Sequence, residues 1–151
     1  MNDQTAPRLR PPAPQLADFP HRVSDTIRFG DLDPQGHVNQ AMFLTYFETG
    51  RVAMFRKPDL GIGLPDLTYV MVRMQVDYLK ELRWPGTVEI GTGVARFGRS
   101  SFHARQAIFC NGLCAATGEA TLVCMNVKTR QAVPLPAEAL ESLGRWKLPG
   151  A

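Results

Sequence analysis

The chain has 151 residues, of which 44% are hydrophobic and 21% are charged, and its formal net charge is +3. This length suits a single domain with its own core, and this composition is typical of a soluble globular protein rather than of a disordered chain. The small net charge and the lack of any run of five like charges argue against nucleic acid as a partner, whereas a pI near 9.0 is compatible with an anionic small molecule.

The first twenty residues are rich in proline. They hold five of the twelve prolines, and none of their stretches is as apolar as a secretory signal or a membrane span. We therefore predict a flexible tail over residues 1–20, a folded domain over residues 21–145 and a short tail over residues 146–151. The missing export signal favours a cytoplasmic protein with no membrane partner.

Hydrophobic periodicity predicts a strand followed by a long helix. From Val23 to Phe29, apolar and polar residues alternate as in a half-buried strand. From Gln40 to Phe55 the apolar residues recur at spacings of three, four and seven, and Asn39 is a natural N-cap for a helix that begins there. Because this helix is apolar around most of its circumference, we expect it to be buried on most sides.

Four further strands and a short helix are predicted after a loop rich in proline and glycine. The strands are predicted over Val70–Tyr78, Val88–Val94, Phe102–Phe109 and Leu113–Val127, and the helix over Pro136–Leu143. Taken in order, the four strands suggest an antiparallel meander. One sheet wrapped around the long helix buries the helix and one sheet face together, so the fold class is α+β.

The three cysteines suggest neither a disulfide nor a metal site. Asn111-Gly112 is a strong two-residue hairpin signal that pairs Cys110 with Leu113 and Phe109 with Cys114. Cys110 and Cys114 then face opposite sides of the sheet, which rules out a bridge between them. No histidine stands near them at the spacing of a zinc site, so we expect no metal.

Three stretches resemble one family. They are "FGDLDPQGHVNQAMFLTYFETGR", "VDYLKEL" and "VARFGRSSF", and the likeness extends from about Val23 to Val127. They are similar to the hotdog-fold acyl-CoA thioesterases of the 4-hydroxybenzoyl-CoA thioesterase type. The resemblance implies a five-stranded antiparallel sheet around a central helix, homodimers or homotetramers with sites between protomers, acyl-CoA as the substrate, and no cofactor beyond the coenzyme A of that substrate.

The residues before the predicted helix suit thioester hydrolysis. This reaction needs a carboxylate that attacks the carbonyl or deprotonates water, and donors aimed at the oxygen that becomes negative. A helix N-terminus supplies such donors, and Asp33 lies in the loop just before it. Gly36 allows a sharp turn or a close approach of the backbone to a ligand. By the resemblance, the catalytic aspartate is Asp33 and the polarising N–H belongs to Gln40.

Neighbouring residues have a structural interpretation beside the functional one. Asp31 is expected to be structural and Asn39 mainly a cap, although Asn39 also lies where substrate binds. His37 either orients a carboxylate and lines the pocket or has a purely structural role. Glu48 either forms an ion pair with Arg51 along the helix or is catalytic, as in a related hotdog branch that carries its carboxylate there.

Binding of the leaving group, coenzyme A, requires a second set of residues. Coenzyme A carries several phosphate charges, which call for basic side chains and hydroxyl or backbone donors. The turn in "ARFGRSSF" offers Arg96, Arg99, Ser100 and Ser101, the segment where the family has phosphate contacts, although a solvated turn explains them as well.

The sequence leaves two alternatives to hydrolysis. The first is a hotdog hydratase or dehydratase, in which an Asp and a His stand five residues apart. Here His37 follows Asp33 by four residues and Asp31 by six, which counts against this alternative. A non-catalytic acyl-CoA binding module would be expected to carry an appended domain, and the sequence suggests none.

Overall fold

The computed structural model describes residues 12–56 and 64–151. Within these ranges the chain forms one sheet and two α-helices. In chain order the elements are β1 (His21–Ile27), α1 (Gln40–Phe55), β2 (Leu67–Tyr78), β3 (Gly86–Phe97), β4 (Ser101–Cys110), β5 (Leu113–Asn126) and α2 (Ala137–Gly144). The architecture is the predicted five-stranded antiparallel sheet with a long helix packed on one face.

The strand order corrects the predicted four-strand meander. The order is β1-β3-β4-β5-β2, so β2 pairs with β5 and β1 takes the place beside β3. A meander would need a tight turn between β2 and β3. Instead, the connection crosses the end of the sheet, and it buries Leu82, whose carbonyl accepts a 2.8 Å hydrogen bond from Val38 N–H. Pro85 and Gly86 lie where β3 begins rather than at the centre of a hairpin.

The β4–β5 hairpin is as predicted. Cys110 pairs with Leu113 and Phe109 with Cys114. Asn111 and Gly112, with φ of 50° and 75°, form the two-residue turn, in which both central residues need positive φ. Both Cys110 and Cys114 are free thiols.

The helix has the predicted bounds, but its burial is one-sided. Phe43, Tyr46, Phe47 and Met54 face the sheet and are buried. Gly50 lies so close to β3 and β4 that an added Cβ would come within 2.6 Å of Ile90 Cγ2. The opposite face of α1, which carries Ala41, Leu44, Thr45, Glu48 and Val52, is exposed, contrary to the expectation of burial on most sides. Within residues 12–56 and 64–151, nothing covers that face, which is partly apolar.

The predicted first strand ends two residues early. β1 stops at Ile27, and Phe29 begins a 3₁₀ turn, Phe29–Asp31, in which its ring is 71% exposed. The alternation of apolar and polar residues predicted that Phe29 lies on the buried face of the strand. The turn breaks that alternation because the Asp31 side chain accepts a hydrogen bond from the Arg28 N–H and closes the chain on itself.

Both segments predicted to be tails contact the sheet where the structure describes them. Leu16–Asp18 form a 3₁₀ turn, and Phe19 is buried with its ring edge-on to Phe109. At the other end of the chain, Leu148 is buried and its N–H donates to the Val94 carbonyl at 2.9 Å. The two segments therefore cover part of the sheet face that lies away from α1. Among the described helices, none is both long enough and apolar enough to cross a membrane.

Candidate active site

A short loop positions Asp33 directly before α1. Leu32 and Val38 form an isolated antiparallel bridge, and Asp33 N–H donates to the His37 carbonyl at 2.8 Å. Gly36 has a φ of +80°, which a residue with a side chain adopts only with strain. The five residues from Asp33 to His37 are thus a closed turn whose shape depends on glycine, as the sequence suggested.

The Asp33 carboxylate is held through one oxygen. Its Oδ1 accepts hydrogen bonds from Gln35 N–H at 2.8 Å and from His37 N–H at 3.3 Å. Within residues 12–56 and 64–151, no donor bonds to Oδ2. The carboxylate is therefore fixed in orientation while one oxygen is available to a water molecule or a substrate.

The N-terminus of α1 lies beside this carboxylate. The Asn39 side chain accepts from Ala41 N–H at 3.0 Å, which confirms Asn39 as the N-cap. The described residues provide no hydrogen-bond acceptor for the Gln40 N–H, the first of the helix. That N–H lies at the positive end of the helix dipole, where a developing negative charge is stabilised.

Asp33 and the helix N-terminus line one open cleft of about 490 Å³. Its walls come from the loop, the first turn of α1 and the chain leaving β2. The lining residues are Asp33, His37, Val38, Asn39, Gln40, Phe43, Tyr78, Leu79, Lys80 and Glu81. Four of the predicted site residues, Asp33, His37, Asn39 and Gln40, therefore meet at one place.

The chain after β2 contributes charged residues that sequence reasoning missed. His37 Nε2 lies 2.9 Å from Glu81 Oε2 and 2.8 Å from Arg83 Nη2. A protonated Nε2 donates to Glu81, and an unprotonated one accepts from Arg83, so the two contacts select different tautomers. The hydrogen bond from Arg83 lowers the pKa of Glu81. Only the stretch "VDYLKEL" in the family resemblance pointed to this segment.

Asp31 is structural, as expected. It is buried, its Oδ2 accepts from Tyr46 Oη at 2.7 Å and from Arg28 N–H at 2.8 Å, and its carbonyl accepts from Asn39 N–H at 2.8 Å. These bonds fasten the loop to both α1 and the end of β1.

Glu48 lies apart from the cleft. It is exposed on the uncovered face of α1, two turns after Gln40. The proposed ion pair with Arg51 is wrong, because Arg51 turns inward and its Nη1 donates to Gln106 Oε1 at 2.8 Å. Burial lowers the pKa of Arg51, and the negative charge of Glu48 opposes this shift.

The predicted phosphate residues lie at the opposite end of the sheet. Arg99 and Ser100 form the turn between β3 and β4, and Ser101 begins β4, whereas the cleft adjoins the end where β3 begins. With about 3.3 Å per residue, the two ends of β3 are about 35 Å apart. Arg96 is exposed beside His103 and Arg105. One chain therefore does not bring these four residues to Asp33.

The described residues contain no group of three or more His, Cys, Asp or Glu side chains placed to hold a metal ion.

Comparison with known families and structures identifies relatives. The family model of the thioesterase-like superfamily matches residues 27–143. A thioesterase of Thermus thermophilus, solved in complex with coenzyme A and Zn, is 36% identical over 83% of this chain and 92% of its own, with a TM-score of 0.72. No curated protein matches the chain at a significant level.

Two further solved structures are similar over most of their length. A protein from Pseudomonas aeruginosa is 25% identical, with a TM-score of 0.83 over 93% of this chain and all of its own. A predicted thioesterase from Bacillus stearothermophilus is 29% identical, with a TM-score of 0.76 over 86% of this chain and 98% of its own. The hotdog architecture expected from the sequence is thus found in these relatives.

Proposed function

Because the chain belongs to the thioesterase-like superfamily, we propose that it hydrolyses an acyl-CoA thioester to a free carboxylic acid and coenzyme A, as enzymes of the 4-hydroxybenzoyl-CoA thioesterase type do. One observation carries the proposal: a carboxylate with an unengaged oxygen and the first N–H of a helix line the same cleft. This is the pair of groups that acyl transfer to water requires.

The reaction proceeds through an oxyanion. The thioester carbonyl oxygen accepts from Gln40 N–H, and Asp33 Oδ2 takes a proton from a water molecule that attacks the carbonyl carbon. The carbon–sulfur bond of the tetrahedral intermediate then breaks, and the proton on Asp33 passes to the departing thiolate. A backbone donor of this kind typically contributes about 10²–10³ in rate.

The loop gives Asp33 a stable position for this role. Its Oδ1 is occupied by two backbone N–H groups, so the side chain does not need to be ordered again when substrate binds. His37 and Asn39, on the same cleft wall, offer polar groups that hold the attacking water.

The nucleotide of coenzyme A requires a second copy of the chain under this proposal. In the described part of the chain, β2 forms one edge of the sheet and has no partner on its outer side. It presents Met71, Val72 and Tyr78 to solvent, and Tyr78 contacts the start of α1 through its hydrogen bond to the Gln40 carbonyl. An edge strand of 12 residues whose outer backbone groups have no partner is suited to pairing with another strand.

A twofold axis at β2 would complete the site. Antiparallel pairing of two β2 strands places the Leu67 end of one copy beside the Tyr78 end of the other. The turn at Arg99 lies at the Leu67 end, so the hairpin of one copy comes to the side where the other copy has Asp33. We accordingly assign Arg96, Arg99, Ser100 and Ser101 to the phosphates of a substrate bound by the neighbouring copy, in a dimer or a tetramer of such dimers.

A hydrolysis screen tests the activity. Short, medium, long and aromatic acyl-CoA esters are incubated with the protein, and released thiol is measured. Turnover of at least one ester that disappears in Asp33→Asn supports the proposal. Binding of acyl-CoA without turnover of any thioester would favour a non-catalytic binding module.

Mixing two variants tests the shared site. Asp33→Asn and Arg99→Ala homodimers each carry the same defect in both sites, whereas a mixed dimer has one site with both residues intact. Activity at low acyl-CoA concentration should rise after the two are denatured and refolded together. No rise, with mixed dimers verified by mass, would place Arg99 outside the site.

A further inference from the structure

A row of polar side chains crosses four neighbouring strands of the sheet. The members of this row are paired in register, namely Arg73 on β2, Thr121 on β5, His103 on β4 and Arg96 on β3. Residues directly opposite one another on neighbouring strands point to the same face of a sheet. The four side chains therefore share one face.

That face is the one that lies away from α1. Ala104 follows His103 and Ala120 precedes Thr121, and both alanines belong to the core cluster that contains Met54 of α1. Because successive side chains of a strand point to opposite faces, the row points away from the helix. Oγ1 of Thr121 lies 3.1 Å from Nδ1 of His103, so the two middle members of the row are in contact.

The two ends of the row carry guanidinium groups without an acidic partner. Within residues 12–56 and 64–151, no carboxylate lies within 4.0 Å of Arg73 or Arg96. Arg73 Nη2 donates to Oε1 of Gln75, a neutral group, at 3.1 Å. Burial and the charges of both arginines lower the pKa of His103, and the charge of Glu119 opposes this shift. The centre of the row therefore lies in the field of both guanidinium charges.

An open pocket of about 350 Å³ adjoins the row. Its charged or titratable lining side chains are Arg96, His103, Arg105 and Glu119, and residues 148–151 also line it. Arg105 Nε lies 3.2 Å from Glu119 Oε1, so these two charges offset each other. The positive charge that remains uncompensated here is that of the row.

Guanidinium groups on both sides of an imidazole suit an oxyanion. Neighbouring strands lie about 4.8 Å apart, so the backbone positions of Arg73 and Arg96 are about 14 Å apart. Two arginine side chains can close over that span around one tetrahedral group, and arginine binds phosphate oxygens in pairs. Nε2 of His103 has no hydrogen-bond partner among the described residues, and it is a third donor when it carries the ring proton.

We infer that the row formed by Arg73, Thr121, His103 and Arg96 is a binding site for a phosphate dianion, either free phosphate or a phosphate monoester of a small molecule. The site lies on the sheet face opposite to α1, and the inference does not depend on the proposed reaction. Because Arg96 is also assigned to the phosphates of the substrate, the tests rest on Arg73 and His103, which have no role in that assignment.

Histidine ring signals in NMR spectra test the site directly. The chain has three histidines, and His103→Gln identifies the signal of His103. Titration with inorganic phosphate at constant ionic strength should shift that signal to saturation, as should titration with glycerol 3-phosphate. Saturation by either ligand supports the inference, and the tighter of the two identifies the source of the phosphate. No saturable shift with either ligand would overturn the inference.

Matched variants distinguish the row from the net charge of the protein. Arg73→Ala should raise the apparent Kd for phosphate about tenfold, because hydrogen bonds between charged groups are the strong ones. Glu119→Gln removes a negative charge beside the row and should lower this Kd. Lys128→Ala removes the same charge as Arg73→Ala from an exposed side chain that pairs with Asp66 at 2.9 Å, and it should leave the Kd unchanged. Equal effects of Arg73→Ala and Lys128→Ala would contradict a specific site.

Kinetics distinguish this site from the one that binds the substrate. In buffer without phosphate, Arg73→Ala should change neither kcat nor KM for an acyl-CoA. A rise in KM would show that the row binds the substrate itself, which would overturn the inference. If no thioester is hydrolysed but phosphate still shifts the His103 signal, the proposed reaction is wrong and the phosphate site stands.

Discussion

The hydroxyl of Tyr46 donates a 2.7 Å hydrogen bond to Oδ2 of Asp31, which ties α1 to the loop before it. The same oxygen accepts from Arg28 N–H, so Asp31 also closes the turn after β1. Asp33, two residues later, bonds through one oxygen to its own loop. Of these two neighbouring aspartates, the first therefore organises the loop, and the second keeps an oxygen available for chemistry.

Replacing Tyr46 by Phe should lower the stability of the fold. The substitution removes a buried donor and leaves the Asp31 carboxylate with one partner fewer, and a hydrogen bond to a charged group contributes about 1.5–3 kcal/mol. We expect the free energy of unfolding, measured in urea, to fall by that amount. Tyr78→Phe, whose hydroxyl lies on an exposed side chain and donates to the Gln40 carbonyl, is the control and should cost about 0.5 kcal/mol or less. Equal losses would contradict the structural role of the Tyr46–Asp31 bond.

The same pair predicts how stability changes at alkaline pH. Burial, the hydrogen bond to Asp31 and the charge of Asp31 raise the pKa of Tyr46 above its ordinary value of about 10. The pKa is higher in the folded state than in the unfolded state. The contribution of Tyr46 is therefore complete below pH of about 10 and is lost as the pH rises toward the folded-state pKa.

Unfolding free energies of the wild type and Tyr46→Phe between about pH 8.5 and about pH 11 test this. Above pH of about 10, the unfolding free energy of the wild type should fall more steeply with pH than that of Tyr46→Phe. Burial also raises the pKa of Tyr69, but this effect is common to both proteins and cancels in the difference. Parallel curves would mean that Tyr46 does not titrate differently in the two states.

Much of the fold follows from local patterns in the sequence. The helix from Gln40 to Phe55, its Asn39 cap and the Asn111-Gly112 hairpin depend on neighbours within a few residues, and the structure confirms all three. The position of β2 depends instead on how the chain after Tyr78 crosses the sheet. That path is fixed by long-range contacts of Leu82, which no local periodicity encodes.

The candidate site likewise contains some residues that local sequence predicts and others that long-range contacts bring in. Asp33, His37, Asn39 and Gln40 are close in sequence, so their meeting in one cleft could be predicted. Glu81 and Arg83 reach His37 from more than forty residues away, through the crossing connection that the predicted meander excluded. The exposed face of α1 was also not predictable, because apolar residues that contact the sheet and apolar residues that stay exposed give the same periodicity.

Asp33→Asn should abolish most of the activity and leave the fold intact. The amide has the same size and keeps an oxygen that accepts from Gln35 and His37, but it neither takes a proton nor attacks a carbonyl. A general base typically contributes about 10²–10⁴ in rate, so kcat should fall by that factor while KM changes little. Steady-state kinetics on the best acyl-CoA of the screen measures both.

Glu48→Gln is the matched control for this experiment. It removes a carboxylate from the exposed face of α1, away from the cleft, and should reduce kcat only slightly. Near-normal turnover in Asp33→Asn together with a large loss in Glu48→Gln would transfer the catalytic role to the helix carboxylate.

The last prediction decides how Asp33 acts. If its carboxylate attacks the thioester, a mixed anhydride forms, and hydrolysis of that anhydride at the aspartyl carbon leaves solvent oxygen in the enzyme; a carboxylate that only deprotonates water gains none. Two backbone N–H groups hold Oδ1, which limits how far the side chain can advance toward a carbonyl carbon, since attack needs an approach of about 3–3.5 Å. The open cleft, in contrast, has room for a water beside Oδ2. We therefore expect no label in the peptide that contains Asp33 after a single turnover in ¹⁸O-water, with all of the label in the released acid. Label found by mass spectrometry in that aspartate would establish the covalent route instead.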